Sequence, residues 1–253
     1  MKKMKKSYII GAAILLLVIG VYIYGNSPEA KNQEGFFYYK EKNYKKALSL
    51  LEEAAEQGYA PAESNLGYMY EHGLGVPQDY SKAVYWYKKA AEQGLVRAEN
   101  NLGYMYEHGL GVPQDYSKAV YWFKKSADQG SIIGEDMLGL MYLRGLGVPQ
   151  DYSKAVYWFK KSAKQGNAEG EYGLGVMYLL GLGVPKNYEK ALYWMNKSAK
   201  QGNAEGEYIL GYMYFKGLGV PQDYNKALYW IKKSAEQGFK PAENLLKSLG
   251  STP

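Results

Sequence analysis

A short phrase that recurs at a constant interval constrains the fold of this chain more than any other feature. The phrase GLGVPQDYSKAVYW runs from Gly73 to Trp86 and returns unchanged from Gly109 and from Gly145. Edited forms begin at Gly181 and Gly217, so each start lies 36 residues after the previous one. A period of this length is typical of repeat proteins, in which each copy is one supersecondary unit that buries its apolar face against its neighbours.

Each copy predicts two helices joined by a glycine-containing break. In residues 59–94, Ala62, Leu66 and Met69 recur at the spacing of one helix face. The segment GLGVP then interrupts the pattern with two glycines and a proline. A second helix is expected to begin after Asp79, whose carboxylate can accept hydrogen bonds from free amides of the first turn, and to end at Gly94. The unit is therefore a helix–loop–helix hairpin.

The recurring residues resemble the Sel-1-like repeat, a relative of the tetratricopeptide repeat. The matching patterns are A-x-x-x-L-G-x-M-Y, G-L-G-V-P-x-D-Y-x-K-A-x-x-W and K-[AS]-A-x-Q-G, in five copies over residues 59–238. The resemblance implies an all-α fold, a right-handed α-solenoid of stacked hairpins, that acts as an adaptor without catalytic residues. It also implies that bacterial members often lie in the envelope and serve host interaction, secretion, polysaccharide export or toxin neutralisation.

The period also predicts how the chain is divided. The first hairpin has a shorter break and no tryptophan, so it is closer to an ordinary tetratricopeptide repeat, and the last segment starts like a first helix but lacks its glycine. The expected segments are a basic region 1–6, a membrane helix 7–24, a linker 25–33, a divergent tetratricopeptide-like hairpin 34–58, Sel-1-like repeats 59–94, 95–130, 131–166, 167–202 and 203–238, and a capping half-repeat 239–253.

The N-terminus predicts a membrane anchor. Lysines at positions 2, 3, 5 and 6 precede Tyr8–Tyr24, which contains no charged residue and, at about 1.5 Å per residue, just reaches the length of a spanning helix. Because lysines stay on the cytoplasmic side, the repeats should be periplasmic or otherwise extracytoplasmic, with the anchor in the inner membrane. The apolar segment ends in the bulky residues 21–24, and Pro28 lies two places before the first small residue of a candidate cleavage pattern, Ala30, which favours an uncleaved anchor. Secretion after signal-peptide cleavage is the alternative.

Composition argues against several classes of function. The net charge of +6 comes mostly from the four N-terminal lysines, and lysines and glutamates alternate along the repeats, so no nucleic-acid partner is expected. The chain contains no cysteine, which excludes disulfides, thiolate metal sites and a cysteine nucleophile.

Neither the histidines nor the recurring glutamates predict catalysis. His72 and His108 occupy the same place in adjacent copies, but Arg144, Leu180 and Lys216 stand there in the others, so surface histidines are expected. One glutamate recurs near the start of each first helix, where it suits the helix dipole or a bond between repeats. These are Glu63, Glu99, Glu135, Glu171, Glu207 and Glu243. No phosphate loop, G-x-S-x-G or S-x-x-K motif is present, so no catalytic residue, cofactor or metal is predicted.

The places where the copies differ predict a partner site. Positions 64, 68, 71 and 72 of the first helix vary and fall within about 100° of arc, opposite the constant Ala62, Leu66 and Met69. The resemblance to tetratricopeptide-like stacks puts this stripe on the concave surface, as a groove for a partner helix or extended peptide. The stripe comprises Tyr68, His72, Tyr104, His108, Leu140, Leu143, Arg144, Tyr172, Val176, Leu179, Tyr208, Tyr212 and Phe215. Alternatively, the apolar members Leu143, Val176, Leu179 and their neighbour Leu180 pack between hairpins.

A second candidate surface lies on the charged side of the second helices, expected to be convex. Five tyrosines recur there, each one turn before a lysine: Tyr85, Tyr121, Tyr157, Tyr193 and Tyr229. This tyrosine ladder could stack on sugar rings, or each ring could simply cover a lysine stem with a weak cation–π contribution.

These patterns together predict a non-catalytic, membrane-anchored extracytoplasmic scaffold, a monomer, that binds a protein or peptide in its groove. A binder of cell-wall or surface polysaccharide through the tyrosine ladder is the alternative. An envelope hydrolase would require a clustered acid–base pair that the copies do not show.

Overall fold

A computed structural model describes residues 25–248, and every regular element among them is an α-helix. The thirteen helices are α1 (Pro28–Lys40), α2 (Tyr44–Glu56), α3 (Ala60–His72), α4 (Tyr80–Glu92), α5 (Val96–His108), α6 (Tyr116–Asp128), α7 (Ile132–Arg144), α8 (Tyr152–Lys164), α9 (Ala168–Leu180), α10 (Tyr188–Lys200), α11 (Ala204–Lys216), α12 (Tyr224–Glu236) and α13 (Lys240–Ser248). They form stacked hairpins, so the expected all-α solenoid is confirmed. The expected membrane helix, residues 7–24, lies outside the described residues, and within residues 25–248 no helix has both the length and the apolar character needed to cross a membrane.

The helices fall into two compact units, which meet in sequence between Gln114 and Asp115. The first unit contains the hairpins α1/α2 and α3/α4, followed by α5. The second unit begins with α6, continues through the hairpins α7/α8, α9/α10 and α11/α12, and ends with α13. In each unit a helix packs on the partner in its hairpin and on the next helix along the chain.

The residues of the repeated phrase determine where the helices begin and end. The side chain of Asp79 accepts a hydrogen bond from the backbone amide of Lys82 at 3.0 Å. An equivalent Asp or Asn caps each of the remaining second helices in the same way. Gly73 ends α3 in the left-handed conformation, at φ 65°. The Gln78 side chain then donates to the Glu71 carbonyl at 2.8 Å, which satisfies one of the carbonyls left free at a helix C-terminus.

The second glycine of the phrase allows adjacent repeats to approach closely. Gly111 has φ 69°, and a Cβ at this position would collide with the backbone of Tyr80 at the start of α4. Gly147 has the same relation to Tyr116 in the second unit. The loop of each repeat therefore packs directly on the second helix of the preceding repeat, an arrangement that only glycine permits.

The core is built from the residues that do not vary. In the second unit, Leu174 and Met177 of α9 are buried against Ala155 and Phe159 of α8. The corresponding leucine and methionine are buried in all the remaining full repeats as well. One side of each first helix is thus committed to packing, as the constant pattern predicts. The opposite side is where the candidate partner site must be sought.

The first helix begins earlier than the sequence analysis placed it. Residues 28–33, expected in a linker, form the first two turns of α1. The local signals are a Ser27 hydroxyl that accepts from the Ala30 amide at 3.2 Å, Pro28 at the first helical position and Glu29 in the first turn. These signals start the helix inside the segment that the sequence analysis assigned to the linker.

Candidate functional site

The recurring glutamates are structural. In the second unit Glu171 is completely buried, pairs with Lys197 at 2.7 Å and accepts a hydrogen bond from Gln201 at 2.8 Å. Glu135 and Glu207 have the same two kinds of partner, and in the first unit Glu63 accepts from Gln93 at 2.8 Å. The lysine lies on the second helix of the same hairpin, and the glutamine is the residue that caps the C-terminus of that helix. The bond therefore joins the two helices of one repeat and not neighbouring repeats, the alternative considered from the sequence.

The two histidines lie on the surface and each packs on a tyrosine one turn before it. His72 stacks on Tyr68 with 4.0 Å between ring centroids, and its Nδ1 lies 3.0 Å from the Tyr68 carbonyl oxygen. His108 and Tyr104 repeat this arrangement. In the part of the chain that the structure describes, no three His, Cys, Asp or Glu side chains come together in a way that could hold a metal.

In the first unit, Tyr68 borders a small cavity of about 130 Å³ whose other walls include Phe36, Tyr39 and Arg97. Arg97 of α5 donates to the Ser64 hydroxyl at 3.1 Å and to the Asn65 side-chain oxygen at 2.6 Å. Position 64, which the copy comparison placed on the variable surface, is in fact buried. The reason is that the next repeat covers it, so variation there reflects packing between hairpins.

In the second unit the variable stripe is partly packed and partly exposed. Leu143 and Val176 are half-buried against the cores of adjacent hairpins, as the packing alternative predicted for them. Leu180 and Tyr212, in contrast, are 58% and 38% exposed. The half-buried members of the stripe in this unit are Leu140, Leu143, Tyr172, Val176, Leu179, Tyr208 and Phe215. On the first helices of this unit, half-buried residues that pack on neighbouring hairpins therefore share one face with residues that are exposed to solvent.

Five stripe residues meet around one cavity between α7, α8 and α9. The cavity measures about 180 Å³ and is lined by Leu140, Leu143, Arg144, Tyr172 and Val176. Its remaining walls are Phe159, Gly173 and two carboxylates, Asp136 and Glu169. The sequence analysis did not choose either acid as a site residue. The sequence signal that could have identified them is variation between copies. Asp136 corresponds to Ser64 and Asn100 in the earlier copies, and Glu169 corresponds to Arg97.

Asp136 has an unusual electrostatic environment for a carboxylate. Burial raises its pKa to about 6; the neighbouring Ser162 hydroxyl lowers the pKa, whereas the charges of Glu169 and Glu135 raise it further. Its Oδ1 and the Ser162 hydroxyl are both buried without a well-formed hydrogen bond, although the hydroxyl is near enough to favour the charged carboxylate. Burial also raises the pKa of Glu169, reinforced by Glu205 and opposed by a hydrogen bond from Asn203. This corner of the cavity is therefore negative and incompletely satisfied.

The tyrosine ladder is exposed but supported from beneath. Each of the five rings is more than half exposed and meets the following tryptophan edge to face, with centroids 4.9–5.1 Å apart. In the first unit the Lys89 ammonium lies 5.3 Å from the Tyr85 ring and 5.0 Å from the Trp86 ring. The rings thus cover lysine stems, and their outer faces remain free.

The Sel1 repeat model matches six successive segments, at residues 20–59, 60–95, 96–131, 134–167, 168–203 and 204–239. The chain belongs to the Sel1 repeat family. The first matched segment includes the hairpin that the sequence patterns set apart as tetratricopeptide-like, so that hairpin is also a Sel1 repeat. Sel1 repeat folds generally serve as non-catalytic scaffolds for protein–protein interaction.

Two solved structures share both sequence and fold with the chain. A protective antigen of uropathogenic Escherichia coli with an SLR fold is 40% identical, with a TM-score of 0.82, over 93% of this chain and 52% of the antigen. A Sel1 repeat protein from Oxalobacter formigenes is 34% identical, with a TM-score of 0.81, over 85% of this chain and 86% of that protein.

One curated relative is similar to the chain over a small part of its own length. The chain is 58% identical over 45 residues to the ERAD-associated E3 ubiquitin-protein ligase component HRD3 of Candida glabrata. That stretch is 18% of this chain and 5% of the relative.

Proposed function

We propose that this Sel1 repeat protein is a membrane-anchored, extracytoplasmic scaffold that binds a protein or peptide partner along the variable stripe of its first helices. The observation that carries the proposal is the cavity of the second unit, because five of the residues that line it belong to the variable stripe, although Phe159 also belongs to the buried core. Its walls combine Leu140, Tyr172 and Val176 with a few charged groups, the composition expected of a recognition surface.

Exposed apolar residues on the same helices extend this surface. Leu180 at the end of α9 and Tyr212 on α11 both leave large apolar or aromatic area open to solvent. Single exposed apolar side chains are common, but a series along successive first helices supports a site for a helix or an extended segment. A solenoid provides such a series at low cost, because each repeat contributes one element of the surface.

The location of the scaffold is proposed from the N-terminal sequence. Lysines followed by the apolar segment Tyr8–Tyr24 support a single inner-membrane anchor with a cytoplasmic N-terminus and extracytoplasmic repeats. The similar E. coli structure is that of a protective antigen, and exposure of this chain outside the cytoplasm is in keeping with that description. Secretion after cleavage is the alternative location.

Binding of envelope polysaccharide by the tyrosine ladder is a second candidate function. The observation that favours it is that all five rings are more than half exposed and held rigidly on tryptophans, as sugar-stacking platforms require.

Affinity capture with the full-length protein in detergent separates these functions. An envelope extract is passed over the wild type, over a Leu180→Glu/Tyr212→Glu variant, and over Tyr157→Glu as a matched control on the ladder. All three sites are exposed, so the fold should survive, which circular dichroism checks.

Under the proposal, one stoichiometric protein is retained by the wild type and by Tyr157→Glu, and lost with the stripe variant. Retention of polysaccharide alone, lost with Tyr157→Glu, would instead establish the ladder function. Equal retention by all three proteins would contradict both.

A further inference from the structure

We infer that the cavity between α7, α8 and α9 is an anchoring pocket for a lysine side chain of the bound partner, with Asp136 as the counter-charge. This inference rests on the proposed function and specifies the chemistry of the partner. The pocket combines a mainly apolar wall with a carboxylate that has incomplete hydrogen bonding. An apolar wall and an acidic corner together match the two parts of a lysine side chain, a hydrocarbon stem and an ammonium group.

The apolar part of the pocket has suitable dimensions for the stem. About 180 Å³ of space is bounded by Leu140, Tyr172 and Val176, with Phe159 behind them. At Gly173 α9 packs directly on the Phe159 ring, because a Cβ at this position would collide with that ring. A four-carbon chain can pack along these walls while its charged end reaches the acidic corner.

The acidic corner lacks a cation of its own. Asp136 Oδ1 is buried and accepts no hydrogen bond, a state that costs free energy unless a donor arrives. The charged groups that act on Asp136 are Glu169 and Glu135, and the one that acts on Glu169 is Glu205, so all of them are carboxylates. Of these, Glu135 is already paired, with Lys161 at 3.0 Å. The remaining negative charge has no compensating partner within the corner.

Arg144 also lines the cavity, and its position on α7 is separate from that of Asp136. It follows Asp136 by two helical turns, about 12 Å along α7, and no ion pair joins the two side chains among the described residues. Arg144 therefore leaves the Asp136 carboxylate available. Its guanidinium would repel a second basic group and so restricts the basic anchor to the Asp136 end.

Comparison with the first unit shows that this chemistry is specific to one pocket. Ser64 occupies the place of Asp136 there, and Arg97 occupies that of Glu169. Arg97 donates to Ser64 and Asn65, so that the first unit satisfies its polar groups internally. In the third and fourth copies, Glu169 replaces the arginine and so reverses the charge, and the Asp136 Oδ1 is left without a donor. Packing alone does not require this change, because the same hairpins form in the first unit with a serine and an arginine in these places.

A metal ion is a poorer occupant than an ammonium group. Divalent cations in proteins take several oxygen or nitrogen ligands, and no group of three suitable side chains exists among residues 25–248. Lysine also suits the pocket better than arginine does, because its compact ammonium can approach one carboxylate from several directions, whereas a guanidinium favours a planar two-point contact.

A peptide library with a fixed central residue tests the inference. Bead-bound heptapeptides carry lysine, norleucine or glutamate at the centre, with flanking positions drawn from Leu, Tyr, Ser and Gly. The labelled full-length protein is applied as wild type, as Asp136→Asn, as Leu180→Glu and as Asp128→Asn. The last is a matched control whose carboxylate is exposed on α6 and pairs with Lys124. The best lysine peptide is then resynthesised with norleucine in its place, and dissociation constants are measured in solution.

The inference predicts that the wild type and Asp128→Asn favour lysine-centred beads, and that Asp136→Asn weakens the lysine peptide by about ten-fold while leaving the norleucine peptide unchanged. Equal capture of lysine and norleucine peptides, lost in Leu180→Glu, would overturn the lysine assignment but keep the groove. Absence of capture from every set, or capture that neither Asp136→Asn nor Leu180→Glu reduces, would overturn the inference and the proposed groove together.

Discussion

The Asp136 carboxylate should destabilise the folded protein, and its removal is therefore expected to stabilise it. In Asp136→Asn the side chain keeps its shape but loses its charge. Burial holds the pKa of Asp136 at about 6, above the ordinary value of 3.8. Because one pKa unit corresponds to about 1.4 kcal/mol, ionisation of this group at neutral pH costs at most about 3 kcal/mol of folding free energy.

The expected gain is smaller than this upper value for two reasons. Asp136 borders an open cavity, so solvent screens part of the charge. The asparagine amide would also lie partly buried, without the donor or acceptor that it needs. We therefore expect Asp136→Asn to raise the free energy of unfolding by about 1–2 kcal/mol at pH 7.

The pH dependence gives the sign of the effect. A carboxyl whose folded pKa is raised is favoured in its protonated form by folding, so its penalty is absent below about pH 4 and grows as pH rises to 6. Urea unfolding at pH 4, 5 and 7 should show the two proteins equally stable at pH 4 and separated at pH 7. The exposed control Asp128→Asn should stay within about 0.5 kcal/mol of the wild type throughout. Equal stability of wild type and Asp136→Asn at both extremes, or a less stable variant at pH 7, would refute the reasoning.

Three further substitutions test the structural account by urea unfolding. Glu171→Ala removes a fully buried carboxylate from its two partners and should lower the free energy of unfolding by about 2–4 kcal/mol. Glu171→Gln retains the shape of the side chain and should lower it less. Equal losses of stability in the two variants would contradict a contribution from side-chain shape. Gly111→Ala should lower the free energy of unfolding by about 2–4 kcal/mol, because the new Cβ would meet the backbone of the preceding repeat. Gly94→Ala, also at positive φ but in open space, should lower it by about 1 kcal/mol. A larger loss in Gly94→Ala than in Gly111→Ala would be inconsistent with close packing between repeats. Tyr87→Phe copies the residue of the next repeat and should cost no more than about 1.5 kcal/mol, so a larger loss would show that the tyrosine hydroxyl is essential.

The architecture could be predicted because each signal recurs. The caps at Asp79 and its equivalents, the glycines after each helix and the Leu–Met pair of each first helix all indicate the same hairpin, and the structure confirms them. Repetition acts as an internal alignment, separating residues that the fold requires from those that it does not. The predicted start of α1 was wrong because the first hairpin differs from the other copies, so its Ser27 cap had no equivalent for comparison.

The candidate site could be predicted only in part. Helical geometry correctly gathered Leu140, Leu143, Tyr172 and Val176 on one side, and they do line one cavity. The depth of each residue depends on the neighbouring hairpin, which a single-helix projection does not contain. For that reason Ser64 was expected on the surface and is buried. Asp136 was overlooked because its importance comes from burial beside other acids.

Site-specific photo-cross-linking in the cells that produce the protein tests the central claim most directly. A benzoylphenylalanine is placed at Leu180 on the stripe, or at Tyr157 on the ladder, since both positions are more than half exposed. The scaffold account predicts one discrete protein adduct from position 180 and none from position 157. An adduct from position 157 alone, or no protein adduct from either position, would contradict the account.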